Sequence, residues 1–125
     1  MIYGTGIDII EIKRIKNSLE KFSPRFEDKV FTNTEIDYCK SQADPGKHFA
    51  ARFAVKEAVS KSLGTGISGD VGFKDIEVIN QPSGKPIIKM TGRGKKLFEK
   101  LNLKSIHISI SHDRHYAIAH AIAEQ

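Results

Sequence analysis

The chain holds one cysteine, Cys39, among 125 residues. A lone thiol excludes a disulfide framework and a cysteine-built zinc cluster. No apolar run comes near the roughly 18 residues of a membrane-spanning helix. The first residues, MIYGTGIDII, lack the basic stretch followed by a long apolar one that marks a secretory leader. Low-complexity tracts and internal repeats are missing too. Acidic side chains are in deficit, 15 against 20 basic ones, which leaves a net charge of +5. These absences predict a soluble cytoplasmic protein with no membrane attachment. With 39% apolar residues, the chain is long enough for one core, so residues 1–125 are expected to form a single domain. The positive balance favours an anionic partner: nucleic acid, a nucleotide, an anionic membrane or an acidic protein.

The hydrophobic pattern divides the chain. MIYGTGIDI alternates as a strand, with Gly4, Gly6 and Asp8 on one face and Tyr3, Thr5, Ile7 and Ile9 on the other. Ile12, Ile15, Leu19 and Phe22 then recur at helical spacing, with Lys13, Arg14, Lys16 and Lys21 around them. SPRFEDKVF reads as a short helix with Ser23 as cap and Pro24 at its first position. TNTEIDYCKSQ opens another, capped by Thr32 or Thr34. Asp44-Pro45 begins a long helix to about Leu63, which Gly64 closes in the left-handed conformation. Downstream, FKDIEVI and IIKM form a hairpin-like unit around the turn NQPSGKP. TGRGKKLFEKLN is a helix capped by Thr91. SIHISIS and YAIAHAIA are strands joined by HDRH, with Ile106, Ile108 and Ile110 turned inward. Helices mainly in the first half and antiparallel strands mainly in the second predict an α+β fold.

The long helix poses a chemical question. Phe49, Phe53, Glu57 and Lys61 stand four apart on one stripe, and Ala50, Ala54 and Ala58 make a small-residue stripe beside them. Glu57 and Lys61 read either as a surface ion pair or as a metal-binding carboxylate next to a phosphate-binding ammonium. A hard cation such as Mg²⁺ takes one or two carboxylates plus substrate phosphate. Asp8, on a glycine-bearing strand that lets another group approach its backbone, is the candidate second carboxylate. It also reads as the N-cap of a helix starting near Ile10.

GTGIDIIEIKRI, FAARFAVKEAVSKSLGTGI, FKDIEV, GKP and HISISHD together resemble the bacterial holo-[acyl-carrier-protein] synthase family of the 4′-phosphopantetheinyl transferase superfamily. The likeness extends to about Ala119; residues 16–48 and 91–105 match only in general character. It rests on two motifs found together, Gly-Ile-Asp near the start and Arg-Phe-x-x-Lys-Glu-Ala in the long helix. The resemblance implies that the chain moves the phosphopantetheine arm of coenzyme A onto a serine of apo acyl carrier protein, releasing 3′,5′-ADP, in support of fatty acid biosynthesis. It implies Mg²⁺ held by Asp8 and Glu57, with Glu57, directly or through a water, taking the serine proton. Lys61 would neutralise charge on the departing phosphate, as expected of phosphoryl transfer by positioning and electrostatics. The cation and Lys61 would keep Glu57 ionised. Arg52 and His112 would lie near the 3′-phosphate and adenine of coenzyme A. Gly84, Lys85 and Pro86 would wall the nucleotide, and the loop from Gly64 would pass close by. Arg14, Lys21 and Arg25 would receive the acidic carrier protein. The family implies a homotrimer with each active site shared between adjacent subunits, where the Ile106 row lines either the core or the interface.

Two other classes compete. A pI of 9.4 suits a small nucleic-acid-binding domain. Against it, an aromatic content of 8% and the lack of an RNP-type strand or recognition helix predict no nucleic-acid partner. A Mg²⁺-dependent phosphohydrolase could use Asp8 and Glu57 without any carrier. The GTG of residues 64–66 lacks the Lys-Ser/Thr of a Walker phosphate loop.

Overall fold

The computed structural model describes residues 1–125. Strand β1 (Ile2–Glu11) leads into helices α1 (Ile12–Phe22), α2 (Arg25–Val30), α3 (Asn33–Lys40) and α4 (Pro45–Ser62). A 3-10 turn, Phe73–Asp75, precedes strands β2 (Ile76–Asn80) and β3 (Pro86–Met90). Helix α5 (Gly92–Lys100) and strands β4 (Ser105–His112) and β5 (Tyr116–Glu124) follow. The fold is α+β, with helices mainly in the first half and antiparallel strands mainly in the second. β1 is the exception: it crosses the molecule to pair with β5, giving an antiparallel sheet of order β1-β5-β4, while β2 and β3 form a separate hairpin.

α4 lies against the inner face of the three-stranded sheet because both surfaces are made of small residues. Ala50, Ala54 and Ala58 are fully buried, and so are Ala117, Ala119, Ala121 and Ala123 along β5. Contact is closest at β1. A Cβ added to Gly6 would stand 1.9 Å from the carbonyl oxygen of Ala58, and one on Gly4 would stand 2.3 Å from that of Ser62. What the strand glycines admit is therefore the α4 backbone, a spacing no side chain permits.

The opposite side of α4 is tied down by charge. Lys56 is completely buried; its Nζ lies 2.8 Å from Glu35 Oε1 and donates to the carbonyls of Phe73 and Ile76. Glu35 Oε2 accepts from the Val78 amide, and Oε1 from the Thr32 amide in a capping box that starts α3. Burial outweighs the carboxylate and holds the Lys56 pKa below its ordinary value. With its partners supplied, the pair clamps α3, α4 and β2 together.

The structure departs from the sequence reading at several ends. β1 runs through Asp8, paired with Ala119, to Glu11, so α1 starts at Ile12 and Asp8 caps no helix. Strand pairing continues because β5 supplies partners as far as Tyr116. Ser23 donates to the Glu27 carboxylate at 2.6 Å, and α2 begins at Arg25. Thr32, rather than Thr34, caps α3. α4 does begin at Asp44-Pro45 as expected, with the Asp44 carboxylate paired to Lys16 at 3.1 Å, and the Thr91 side chain makes no cap bond. Gly64 does take the left-handed conformation, with φ of 84°. Ile106, Ile108 and Ile110 share the face of the β5 alanines and pack on the core. The opposite face of β1 is apolar and open: Ile7 is 57% and Ile9 63% exposed.

Candidate functional site

The residues singled out in the sequence fall into three groups. The first lies where α4 crosses β1. Because Gly6 lets the helix settle on the strand, Lys61 reaches Asp8: Nζ lies 3.1 Å from Asp8 Oδ1 and donates to the Ile7 carbonyl at 3.0 Å. The ion pair thus joins helix to strand, in place of an i,i+4 pair between Glu57 and Lys61. Glu57, one turn back, is half-buried. Burial and the Asp8 charge raise its pKa above the ordinary value, and Lys61 only partly opposes them. Lys61 thus acts in the expected direction, favouring the ionised form of Glu57, while burial and Asp8 outweigh it. Gly64 adjoins the group, its amide donating to the Lys61 carbonyl at 3.0 Å.

Two carboxylates that repel each other in a partly buried setting fit a hard divalent cation. Nowhere in the chain do three His, Cys, Asp or Glu side chains gather as a metal cluster. A carboxylate pair is a sparse donor set, of the kind that leaves most positions of a hard cation to water and phosphate.

The second group lines a cavity of about 360 Å³ between α3, α4, β3 and β4. Arg52, Pro86 and His112 meet there, joined by Tyr38, His48 and Asn80. Arg52 is 4% exposed, its guanidinium carbon lies 4.1 Å from the centre of the Tyr38 ring, and Nη2 donates to Asn80. Gly84, at φ of 90°, makes the turn that brings Pro86 to the cavity. Lys85 lines a smaller neighbouring cleft with Ile106, His107 and Ile108. Sequence reasoning missed Tyr38, His48 and Asn80. His48 carried a usable signal, since it stands four residues before Arg52 on the same helix. Tyr38 and Asn80 carried none, because only the tertiary structure sets α3 and β2 beside α4.

The third group is an exposed basic surface. Arg14 and Lys21 are seven residues apart and so share a face of α1, with Arg25 just beyond. Lys21 and Arg25 flank a groove with the exposed Phe22. The three groups occupy different parts of the sheet and helix frame. Asp8 stands on β1 and His112 on β4, the opposite edges of the sheet, with β5 between them. Two strand spacings separate those edges by about 10 Å.

The description "4′-phosphopantetheinyl transferase superfamily" belongs to a family model that matches residues 4–121. A holo-[acyl-carrier-protein] synthase from Syntrophus aciditrophicus is 44% identical over 124 residues, covering 99% of this chain and 97% of that one. Among solved structures, the holo-[acyl-carrier-protein] synthase of Neisseria meningitidis superposes with a TM-score of 0.93 at 34% identity, covering 100% of both chains. The Helicobacter pylori enzyme, solved in complex with coenzyme A, gives 0.86 at 34% identity, covering 96% of this chain and 99% of that one.

Proposed function

Since the chain belongs to the 4′-phosphopantetheinyl transferase superfamily, we propose a role for each of its three groups in one reaction. That reaction transfers the 4′-phosphopantetheine group of coenzyme A to apo acyl carrier protein, giving the holo form. A nucleic-acid-binding domain and a phosphohydrolase find no support in these likenesses. The observation that carries the assignment is the meeting of Asp8, Glu57 and Lys61 where α4 crosses β1.

In this reading residues 1–125 act as one transferase domain. Asp8 and Glu57 would hold Mg²⁺, which would screen the pyrophosphate charge. Glu57 accepts the proton of the carrier serine. Lys61, anchored by Asp8 and the Ile7 carbonyl, presents its ammonium to the phosphate oxygen that gains charge as 3′,5′-ADP departs. Arg52 and His112 receive the phosphorylated ribose, and Pro86, with Gly84 and Lys85, borders the nucleotide. Arg14, Lys21 and Arg25 receive the acidic carrier. The reaction is proposed to be cytoplasmic; no helix is long and apolar enough to cross a membrane.

The two halves of the coenzyme site lie on opposite sheet edges, which favours completion by a second copy. A metal edge of one chain set against the nucleotide cavity of the next is a head-to-tail contact, which forms a ring when its rotation closes. The exposed apolar face of β1 supplies a surface to bury in the ring. The proposed ring is a homotrimer, the state that the family resemblance implies. The test of the reaction is the intact mass of apo acyl carrier protein after incubation with coenzyme A, Mg²⁺ and this protein. Gain of one phosphopantetheine group is expected, and an unchanged carrier mass with a competent carrier rejects the function.

A further inference from the structure

The cavity around Arg52 holds a side chain that none of these roles uses. His48 is half-buried one turn before Arg52 on α4, with its ring centre 5.9 Å from that of Tyr38 and 6.5 Å from that of His112. Arg52 covers the other part of Tyr38, so α3, α4 and β4 together build one wall of cationic and aromatic groups. No carboxylate lines the cavity. The acid that acts on His48, Asp44 at the start of α4, is already engaged by Lys16. A second observation points to a ligand: Arg52 Nε is buried without a hydrogen-bond partner. A buried donor left unpaired costs free energy that an incoming acceptor restores. The wall therefore suits a phosphate dianion.

We propose that His48 is a proton-linked specificity residue, which with Arg52 favours coenzyme A over dephospho-coenzyme A and does so more strongly as the pH falls. The inference rests on reading this cavity as the seat of the 3′-phosphate. Its physical basis is a balance of charge. In the free protein, burial first, then Arg52 and His112, hold the His48 pKa below the ordinary histidine value; Lys47 adds to this and Asp44 opposes it. A bound dianion replaces that repulsion with attraction, so His48 takes up a proton on binding. The bound-state pKa lies above the free one. The added affinity is thus complete below the free value and is lost as pH rises through the bound value. Tyr38 offers the ring a neutral face and sets its orientation. Dephospho-coenzyme A lacks the 3′-dianion and gains nothing from the proton. The phosphate's own ionisation, near pH ~6, acts in the opposite direction and is common to wild type and variants.

The test is calorimetric titration of the full chain with coenzyme A and with dephospho-coenzyme A at about pH 6.5 and 8.5, both above the phosphate's own ionisation near ~6, the first close to the ordinary histidine range and the second well above it. Each titration is run in two buffers of different ionisation enthalpy. The wild type is expected to take up protons with coenzyme A and not with dephospho-coenzyme A. Its preference should shrink at least about threefold from the lower to the higher pH, within the tenfold per pH unit that one linked proton allows. His48→Gln should retain a preference through Arg52, and that preference should vary less than about twofold with pH once the linked proton is gone. A wild-type preference that is the same at both pH values, without proton uptake, overturns the inference and leaves the cavity's assignment standing. So does a folded His48→Gln that titrates like wild type. If both ligands bind equally at both pH values and Arg52→Gln changes neither, the assignment of the cavity fails and takes the inference with it. The proton count on the wild type stands even where a variant does not fold.

Discussion

At Glu57, function and stability pull in opposite directions. Its pKa is raised in the folded protein, so the native state binds the proton more tightly than the unfolded chain does. Stability is then highest below the unfolded value, falls as pH rises toward the folded value, and stays reduced above it. Glu57→Gln should abolish transfer yet raise the Tm at pH ~7–8, a gain that vanishes below the ordinary carboxylate range near ~4. Mg²⁺ should raise the wild-type Tm and leave that of the variant unmoved; thermal melts with and without Mg²⁺ decide it. A variant less stable than wild type at neutral pH would contradict the burial argument. Lys61 invites a kinetic test. If its contact with phosphate strengthens as the leaving oxygen gains charge, Lys61→Ala should lower kcat more than it weakens a directly measured Kd for coenzyme A. Because Lys61 also holds Asp8, arginine should rescue only partly: a planar fork cannot take the place of an ammonium bonded to both Asp8 Oδ1 and the Ile7 carbonyl. The reverse pattern, with Kd weakened and kcat kept, would make Lys61 an anchor.

The element that decides the site is α4, held against β1 by missing side chains and against α3 and β2 by a buried charge. Gly6→Ala would place a methyl group 1.9 Å from a backbone carbonyl oxygen. Neither neighbour is a flexible side-chain end, so helix and strand must part. Transfer should fall with the displaced Asp8–Lys61 contact even under conditions where circular dichroism still reports a folded chain. Lys56→Met should cost roughly 3–5 kcal/mol in denaturant unfolding, since it strands Glu35 without its partner. On α1 the effect should be confined to one substrate. Arg14→Glu is expected to raise KM for the carrier and leave Kd for coenzyme A unchanged, because Arg14 shares its face with Lys21 and lies apart from the cavity at Arg52. Equal losses toward both substrates would argue against a dedicated docking helix. The elements themselves were largely legible in the sequence, because alternation at MIYGTGIDI and the i, i+4 stripes of FAARFAVKEAVSKS express local geometry. Their ends were less so. β1 outlasts the predicted helix start because its length is set by β5, more than a hundred residues away in sequence.

At the scale of the whole molecule, the prediction concerns division of the site between chains. With Asp8 on one sheet edge and the Arg52 cavity at the other, Asp8→Ala and Arg52→Ala chains should each be inactive alone. Mixed by co-refolding, they should regain about a quarter of wild-type activity, since that share of head-to-tail junctions unites two intact halves. A mixture as inactive as its parents would place each site within one chain. Ile9→Lys, on the exposed face of β1, should lower the assembly's mass by sedimentation and reduce transfer with it.

The sequence by itself determined the fold class, the family and the identity of the residues on which the proposed chemistry rests. Periodicity and short motifs are local, and Gly-Ile-Asp or Arg-Phe-x-x-Lys-Glu-Ala can be read without knowing what lies nearby. Tertiary structure alone decided which of those residues meet. Lys61 bonds Asp8 across 53 positions instead of Glu57 one turn away. Lys56 and Glu35, indistinguishable in sequence from solvated charges, are sealed inside. Tyr38, Asn80 and His48 join Arg52 around a cavity that none of them announces. Such meetings depend on how closely helix and sheet approach and on how much water is excluded there. Both are set by the summed packing of the alanine and glycine faces, and no single stretch of the chain contains that sum.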